Sequence, residues 1–178
     1  GHSERVGLYA ECLGKQMGFD AKTCSQLYLS GLLHDIGKIG IRGSTLRKPG
    51  RLSEEEFEEI KQHPMRGWEI LHELDKHGHL LEGVVHHHER FDGDGYPDGL
   101  AGKKIPLTCR ILAVADTYDA LTSDRAYRKG MPQEKAEEIL RGGAGTQWDP
   151  AVIETCFEVM PEWIHIRETF QPTEPAQR

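Results

Sequence analysis

The sequence lacks the cysteine patterns of a disulfide framework or a thiolate metal site. Cys12, Cys24, Cys109 and Cys156 lie far apart and form no C-x-x-C pair. Such isolated cysteines are typical of buried or half-buried thiols in a reducing compartment. We therefore expect a cytoplasmic protein, and any metal site should be built from ligands other than sulfur.

Long apolar runs and an excess of positive charge are also missing. No stretch approaches the roughly 20 apolar residues of a membrane span, and the first residues lack the layout of a secretory signal. Lys and Arg number 22 against 29 Asp and Glu, which gives a net charge of -7. This balance argues against duplex nucleic acid or an anionic membrane as a partner. A small anionic substrate remains compatible, because bound cations set the local field.

The chain also shows no internal repeat and no strand-length alternation of apolar and polar residues. Its 178 residues, 37% of them hydrophobic, suit one domain, which we place at residues 1–170, with a frayed tail at 171–178. Apolar periodicity and capping signals predict an all-α fold, a helical bundle with a glycine-rich structured loop at 90–104. The predicted helices span residues 3–17, 22–33, 54–74 with a kink or break at His63-Pro64, 80–88, 106–123, 132–141 and 150–160, and residues 43–51 are expected to form a loop.

Seven side chains that can bind a metal are spread over the first two thirds of the chain. They are His2, His34, Asp35, His63, His87, His88 and Asp116. Any single histidine could lie on a helix face for no catalytic reason, because the chain has ten. Asp116 is a stronger candidate, since it lies inside the most apolar predicted helix, where burial of an unpaired carboxylate costs free energy. Coordination to a divalent cation would remove that cost.

The adjacent pairs among these residues favour a shared site. Neighbouring residues on a helix differ by about 100° in direction, so His34 with Asp35, and His87 with His88, can each reach one cluster where helices converge. Histidine nitrogens and carboxylates, without paired cysteines, indicate more than one divalent ion. The chemistry expected of such a site is hydrolysis of a phosphate ester. We place His86 outside the metal ligands.

The local sequences resemble a known family. The segment from His34 to Lys38, HDIGK, is similar to the signature of the HD metal-dependent phosphohydrolases. The stretch from His87 to Pro97, HHERFDGDGYP, is similar to the defining motif of their HD-GYP subfamily. The resemblance extends through KPG at 48–50, His63-Pro64, the run AVADTYDALTS at 113–123 and RAYR at 125–128, and so covers most of the chain.

The resemblance implies a cyclic di-GMP phosphodiesterase that forms the linear dinucleotide pGpG and, in some members, GMP. It assigns the seven candidate ligands to metal binding, with Asp35 bridging two ions that share a hydroxide nucleophile. Lys38 would lie near the scissile phosphate, and Arg125, Arg128 and Tyr96 would contact the substrate. Iron and manganese are the metals that the family uses most, and the donor set agrees.

Some alternatives stay open at the level of sequence. Family members with three metals use a further Glu one turn before the position of His2, so the count of two or three ions is undecided. Arg125 and Arg128 could instead form a solvated helix end. The chain could be a non-enzymatic nucleotide receptor or act on another phosphate ester. We also expect Glu89 and Arg90 to lie behind the imidazoles or to form structural ion pairs, and we expect a regulatory domain upstream.

Overall fold

The computed structural model describes residues 1–73, 79–124 and 129–171, and most of these residues lie in helices. The helices are α1 His2–Gln16, α2 Ala21–Leu33, α3 Gly43–Leu46, α4 Glu54–Ile60, α5 His63–Leu71, α6 His79–His86, α7 Leu107–Thr122, α8 Gln133–Gly142, α9 Pro150–Glu158 and α10 Met160–Thr169. Short 3-10 helices span Ile36–Gly40 and Gly102–Lys104. In this described part, β-structure is limited to an isolated bridge between Ala144 and Trp148. The predicted all-α class is confirmed.

Helices α1 and α2 pack backbone against backbone because glycine lies at their contact. A Cβ atom at Gly31 would come within 2.6 Å of the Cα of Gly7. Helix α2 begins with Asp20, whose side chain accepts a hydrogen bond from the Thr23 amide, as expected of an N-cap residue. The antiparallel pair places the start of α1, with His2, beside the end of α2, with His34.

The main core forms around α7, α1 and the C-terminal helices. Tyr9, Tyr118 and Trp163 are fully buried, and their ring centroids lie 4.9 to 5.2 Å apart. The indole N–H of Trp163 donates to the carbonyl of Tyr9 at 3.1 Å, so the indole N–H is satisfied inside the core. Because α7 is buried on most of its surface, it carries Asp116 into the interior of the domain.

Helices α4 and α5 follow each other closely in the chain. Ser53 and Glu56 make the predicted capping box at the start of α4. The break falls at Lys61 and Gln62, two residues before the predicted step, and Pro64 is accommodated in the first turn of α5, where it needs no hydrogen-bond partner. His63 therefore begins α5. A Cβ at Gly37 would lie 1.9 Å from the His63 carbonyl oxygen, so only glycine allows this approach.

Several predicted boundaries differ from the structure. Residues 43–51 include the short helix α3, which was expected to be loop. The single helix predicted at 150–160 ends at Glu158, and α10 follows after a bend at Val159, with Pro161 in its first turn. The end of the helix predicted at 54–74 and nearly all of the predicted tail lie outside the described residues.

All four cysteines are free thiols, and Cys24, Cys109 and Cys156 are buried. Within the described residues, no helix is both long enough and apolar enough to cross a bilayer. The cytoplasmic location stays a prediction.

Candidate metal centre

The structure brings all seven predicted ligands together at one end of the bundle. Each lies at or near the end of a helix, except Asp116, which lies within α7. His2 begins α1, His34 caps the C-terminus of α2 and is followed by Asp35, His63 begins α5, and His87 and His88 follow α6. The ends of four helices and one helix interior therefore converge on one point.

Asp35 lies at the centre of this convergence. Its Oδ2 is 3.5 Å from Nε2 of His34 and 3.9 Å from Nε2 of His2. Its Oδ1 is 3.5 Å from Nε2 of His63. The two oxygens of one carboxylate therefore face histidines from two different parts of the chain.

The first group of ligands consists of His2, His34 and Asp116. Oδ1 of Asp116 lies 3.4 Å from Nε2 of His2 and 3.7 Å from Nε2 of His34. One ligand atom from each of the three residues falls within 4.8 Å of the others. We call these residues the first half of the centre.

The second group consists of His63, His87 and His88, whose ligand atoms also fall within 4.8 Å of one another. Nε2 of His63 is 3.2 Å from Nε2 of His87. The Nδ1–H of His63 donates to the Ile60 carbonyl at 2.7 Å. That of His87 donates to the Val84 carbonyl at 2.9 Å. These bonds fix the tautomer that leaves Nε2 free to bind a cation, and we call this group the second half.

Burial keeps the second half neutral. Desolvation lowers the pKa of His63, and that of His87 falls well below its ordinary value. Burial also lowers the pKa of His88 to about 4. At neutral pH these imidazoles therefore carry no proton on the nitrogen that faces the cluster, which is the form that binds metal.

His2 has a different environment. Its side chain is 32% exposed, and Nδ1 hydrogen-bonds Oδ2 of Asp119 at 2.7 Å. Burial would lower its pKa, but the hydrogen bonds with Asp116 and Asp119 outweigh this and raise the pKa to about 9. A cation that binds Nε2 must therefore displace a proton below that pH.

Asp119 and Arg5 are residues of the site that the sequence did not identify. Asp119 is 1% exposed, and Arg5 donates to it through Nε at 2.6 Å and through Nη2 at 3.0 Å. Arg5 also donates to Oγ of Ser123 at 3.0 Å. A signal was present, because Asp119 follows Asp116 by three residues, and Arg5 follows His2 by three, so each pair shares a helix face.

The two central carboxylates are ionised. Burial would raise the pKa of Asp35, but its electrostatic interactions with His34 and Lys38 and the Lys38 hydrogen bond lower it overall. Burial likewise opposes ionisation of Asp116, whose pKa is nevertheless lowered by its hydrogen bond with His2 and by the nearby histidines. Two carboxylates held charged among imidazoles are the environment that a divalent cation needs.

The unsatisfied polar atoms of the site test whether a metal fits. Within the described residues, Nε2 of His34 and Oδ1 of Asp35 are buried and have no hydrogen-bond partner. An orphaned buried polar atom is costly, and both atoms are lone-pair donors aimed at the same cluster. The residues present therefore fit divalent metal ions.

Lys38 lies at the edge of the centre. Its ammonium contacts Oδ2 of Asp35 at 2.6 Å, and its side chain is 37% exposed. It lines a cleft of about 450 Å³ together with His2, Asp35, His88 and Asp116. A phosphate group that entered this cleft would meet the ammonium and the metal ligands together.

Tyr96 lies behind the centre. Its ring stacks on His88, with centroids 4.8 Å apart, and meets the edge of Phe57 at 6.5 Å. Tyr96 is not among the residues that line the cleft. A direct substrate contact stays a prediction, and the contact observed is the support of a candidate ligand.

The loop residues near Tyr96 have structural roles. The buried Glu89 accepts hydrogen bonds from the amides of Asp98 at 2.8 Å and Leu100 at 2.9 Å, so it organises the glycine-rich loop. The expectation that it stands behind the imidazoles is wrong, because backbone carbonyls fill that position for His34, His63 and His87. Arg90 pairs with Asp92, as the ion-pair expectation had it.

His86 bonds Oδ2 of Asp98 through Nε2 at 2.9 Å, away from the cluster of seven ligands. Arg125 and Arg128, the predicted substrate contacts, lie outside the described residues, so their roles stay predictions.

The described residues form a helical domain with a candidate metal centre of histidines and aspartates. The chain belongs to the HD domain family, which matches residues 1–152. The resemblance to the HD-GYP subfamily is confirmed by the relatives described next.

Curated relatives are similar over most of this chain. It is 41% identical over 152 residues to a cyclic di-GMP phosphodiesterase of Vibrio cholerae, covering 82% of this chain and 31% of that protein. It is 37% identical over 165 residues to 3'3'-cGAMP-specific phosphodiesterase 3 of the same organism, covering 91% and 36%. The chain thus spans about a third of the length of these relatives.

Solved structures share the fold. A cyclic GMP-AMP specific phosphodiesterase of V. cholerae superposes with a TM-score of 0.71 at 19% identity, covering 92% of this chain and 45% of that one. An HDG"Y"P protein from Bdellovibrio bacteriovorus gives a TM-score of 0.69 at 22% identity, with coverage of 90% and 51%. At these identities the likeness establishes the fold alone.

Proposed function

We propose that the chain is a metal-dependent phosphodiesterase that hydrolyses cyclic di-GMP to linear pGpG, with GMP as a further product. The position of Asp35 carries the proposal, because its two oxygens face separate groups of histidines, as a carboxylate shared by two ions must. The names of the curated relatives support the substrate class.

The proposed metals are two divalent ions, iron or manganese, with Asp35 between them. His2, His34 and Asp116 would hold one, and His63, His87 and His88 the other. When bound, such a pair of cations supplies a deprotonated water at neutral pH and offsets the charge of the phosphate. A third ion is not required by these groups.

The chain's own residues would then position the substrate. Lys38 holds Asp35 through their ion pair, and its exposed ammonium would attract the phosphate into the cleft. Arg125 and Arg128 are proposed to grip the second phosphate or a guanine edge. Tyr96 would act by holding the ring of His88 in place.

A second substrate has a specific observation in its favour. One of the similar curated proteins is specific for 3'3'-cGAMP, so this nucleotide should be compared with cyclic di-GMP in the same assay. A receptor without catalysis is disfavoured, because binding alone does not need a cluster of ligands that generates a nucleophile. A different phosphate ester would be revealed by failure on both nucleotides.

The decisive experiment loads the purified chain with Fe or Mn without air, measures metal content, and separates the nucleotide products by chromatography. Conversion of cyclic di-GMP to pGpG is expected. The Asp35→Asn variant should lose both its metal and its turnover, because the amide has the shape of the carboxylate but lacks the negative charge that binds the cations.

Asp20→Asn is the matched control, since Asp20 caps α2 away from the cleft and Asn caps as well as Asp. If Asp35→Asn kept its metal and its rate, the central role of this carboxylate would be refuted.

Arg125→Ala tests the substrate contacts. It should raise KM more than it lowers kcat, because it removes binding of the substrate more than chemistry. An unchanged KM would favour the alternative, in which Arg125 belongs to a solvated helix end. The cytoplasmic location and an upstream regulatory domain belong to the same proposal, and fractionation and analysis of the parent protein would test them.

A further inference from the structure

A second cavity adjoins the metal cleft. It has a volume of about 420 Å³ and is lined by Arg5, Thr122, Ser123, Asp124, Arg167 and Phe170. Three of these residues, Arg5, Ser123 and Asp124, also line the cleft that contains the candidate metal ligands. A ligand held at the metals can therefore extend into the second cavity without crossing a wall of protein.

Phe170 gives this cavity an aromatic wall. It caps the C-terminus of α10, and its amide donates to the Ile166 carbonyl at 2.9 Å, which fixes its backbone. The side chain is half-buried, lies outside the main core cluster, and its ring faces the Arg5 guanidinium at 5.4 Å. Arg5 covers one face of this ring, so the opposite face is the stacking surface available to a nucleobase in the cavity.

Two charged side chains complete the wall. Oδ1 of Asp124 accepts a hydrogen bond from the Gly130 amide at 2.8 Å, so the carboxylate is held in place. Nη1 of Arg167 donates to Oε1 of Gln133 at 2.8 Å, which holds the guanidinium. The cavity thus offers a carboxylate acceptor and a guanidinium donor near one aromatic ring.

This combination is complementary to guanine. The base presents N1–H and an exocyclic amino group as donors and O6 and N7 as acceptors. A carboxylate can accept from the donors, and arginine is the usual partner of O6 and N7. Adenine has neither O6 nor the 2-amino group, so it would leave part of this wall unpaired.

We propose that the second cavity is a guanine subsite, in which Phe170 stacks on the base and Asp124 and Arg167 read its edge. The inference rests on the proposed function and adds to it, since it assigns base specificity to residues outside the metal centre. With a phosphate of the cyclic dinucleotide at the metals, one of its bases would occupy this cavity.

Steady-state kinetics on the metal-loaded chain test the subsite, with cyclic di-GMP and cyclic di-AMP as substrates. Phe170→Ala should raise KM for cyclic di-GMP at least about fivefold with kcat changed less than about twofold. Phe170→Trp should restore KM, because it keeps an aromatic face. Asp124→Asn should lower the preference for cyclic di-GMP over cyclic di-AMP about tenfold.

His165→Gln is the matched control, because this exposed residue lies on the same helix and lines neither cavity. An unchanged KM in the Phe170→Ala variant would overturn the subsite. Equal losses of kcat in the Ala and Trp variants, together with lower melting temperatures, would also overturn it. Bis(p-nitrophenyl) phosphate separates the two proposals. If the wild type cleaves this ester and no cyclic dinucleotide, the proposed function fails and the subsite fails with it.

Discussion

The two halves of the metal centre are held in different ways. In the second half, His63 and His87 are 0% and 2% exposed, and each is oriented by a backbone carbonyl three residues earlier in the chain. In the first half, His34 is held in the same way, but His2 is 32% exposed and is oriented by the carboxylate of Asp119, which is itself held by Arg5.

This difference separates a preformed part of the site from an adjustable one. The buried imidazoles are neutral, and their carbonyl partners cannot change charge. His2 competes for a proton, and its orientation depends on two side chains from different helices. The second half should therefore bind a cation first, and the first half should respond more to mutation of its supports.

The largest effect is expected when ligands from the two halves are removed in turn. His87→Ala should abolish turnover and lower affinity for both ions by more than about a hundredfold, since His87 lies in both the second group and a group with His34 and Asp35. The His2→Ala variant should bind about one metal ion fewer per chain than the wild type and keep the other. Elemental analysis and product formation would measure this, and equal losses in both variants would remove the distinction between the halves.

Removal of the support of His2 should have a smaller effect. Asp119→Asn is expected to lower the affinity for one ion about 10- to 100-fold, because it removes the negative charge that orients the His2 imidazole. The matched control is Asp149→Asn, since Asp149 is another buried aspartate paired with an arginine, Arg110, away from the centre.

Metal titration of both variants, together with their melting temperatures, checks the comparison. A loss of metal affinity in the Asp149 variant would mean that general destabilisation explains the effect of Asp119.

The two halves should also respond oppositely to pH in the metal-free protein. The pKa of His2 is raised from 6.5 to about 9, so its stabilising contribution is fully present below pH 6.5 and is lost as pH rises through about 9. The pKa of His88 is lowered to about 4, so stability falls as pH drops from 6.5 towards 4.

Urea unfolding in EDTA would measure both slopes. His2→Gln should flatten the alkaline one and His88→Gln the acidic one. If either substitution left its own slope unchanged, the assignment of that slope to the histidine would be wrong.

The smallest effect concerns the ring behind His88. Tyr96→Ala should weaken metal binding about two- to tenfold, because it removes the stack that positions the imidazole. Tyr96→Phe should preserve affinity, since the ring remains. A rise in KM in the Phe variant, without loss of metal, would favour a direct contact between the tyrosine hydroxyl and the substrate.

The sequence predicted the gathering of ligands because the informative residues have unusual settings. A carboxylate inside an apolar helix, as at Asp116, is costly unless a cation or a charged partner meets it, and the adjacent pair His34 and Asp35 offers two ligands at one helix end. The all-α class followed from apolar periodicity and capping signals. The roles of Arg125 and Arg128 stay predictions.

Other features could not be read in the same way. The carbonyls that orient His63 and His87 belong to the backbone, which carries no sequence signal. Asp119 was missed although it shares a helix face with Asp116, because a carboxylate near a helix end is usually exposed, and only the packing of α1 on α7 shows that it is buried. Helix α10 was missed because the bend at Val159 interrupts the apolar pattern.

The close contact at Gly37 restricts the route by which metal ions can enter and leave the site. Because its backbone lies against the His63 carbonyl, the segment after α2 and the start of α5 cannot separate without losing that fit. We expect cations to enter and leave past His2, on the solvent-facing side. Substrate bound in the cleft would block this route, so bound substrate should slow the removal of metal by chelators.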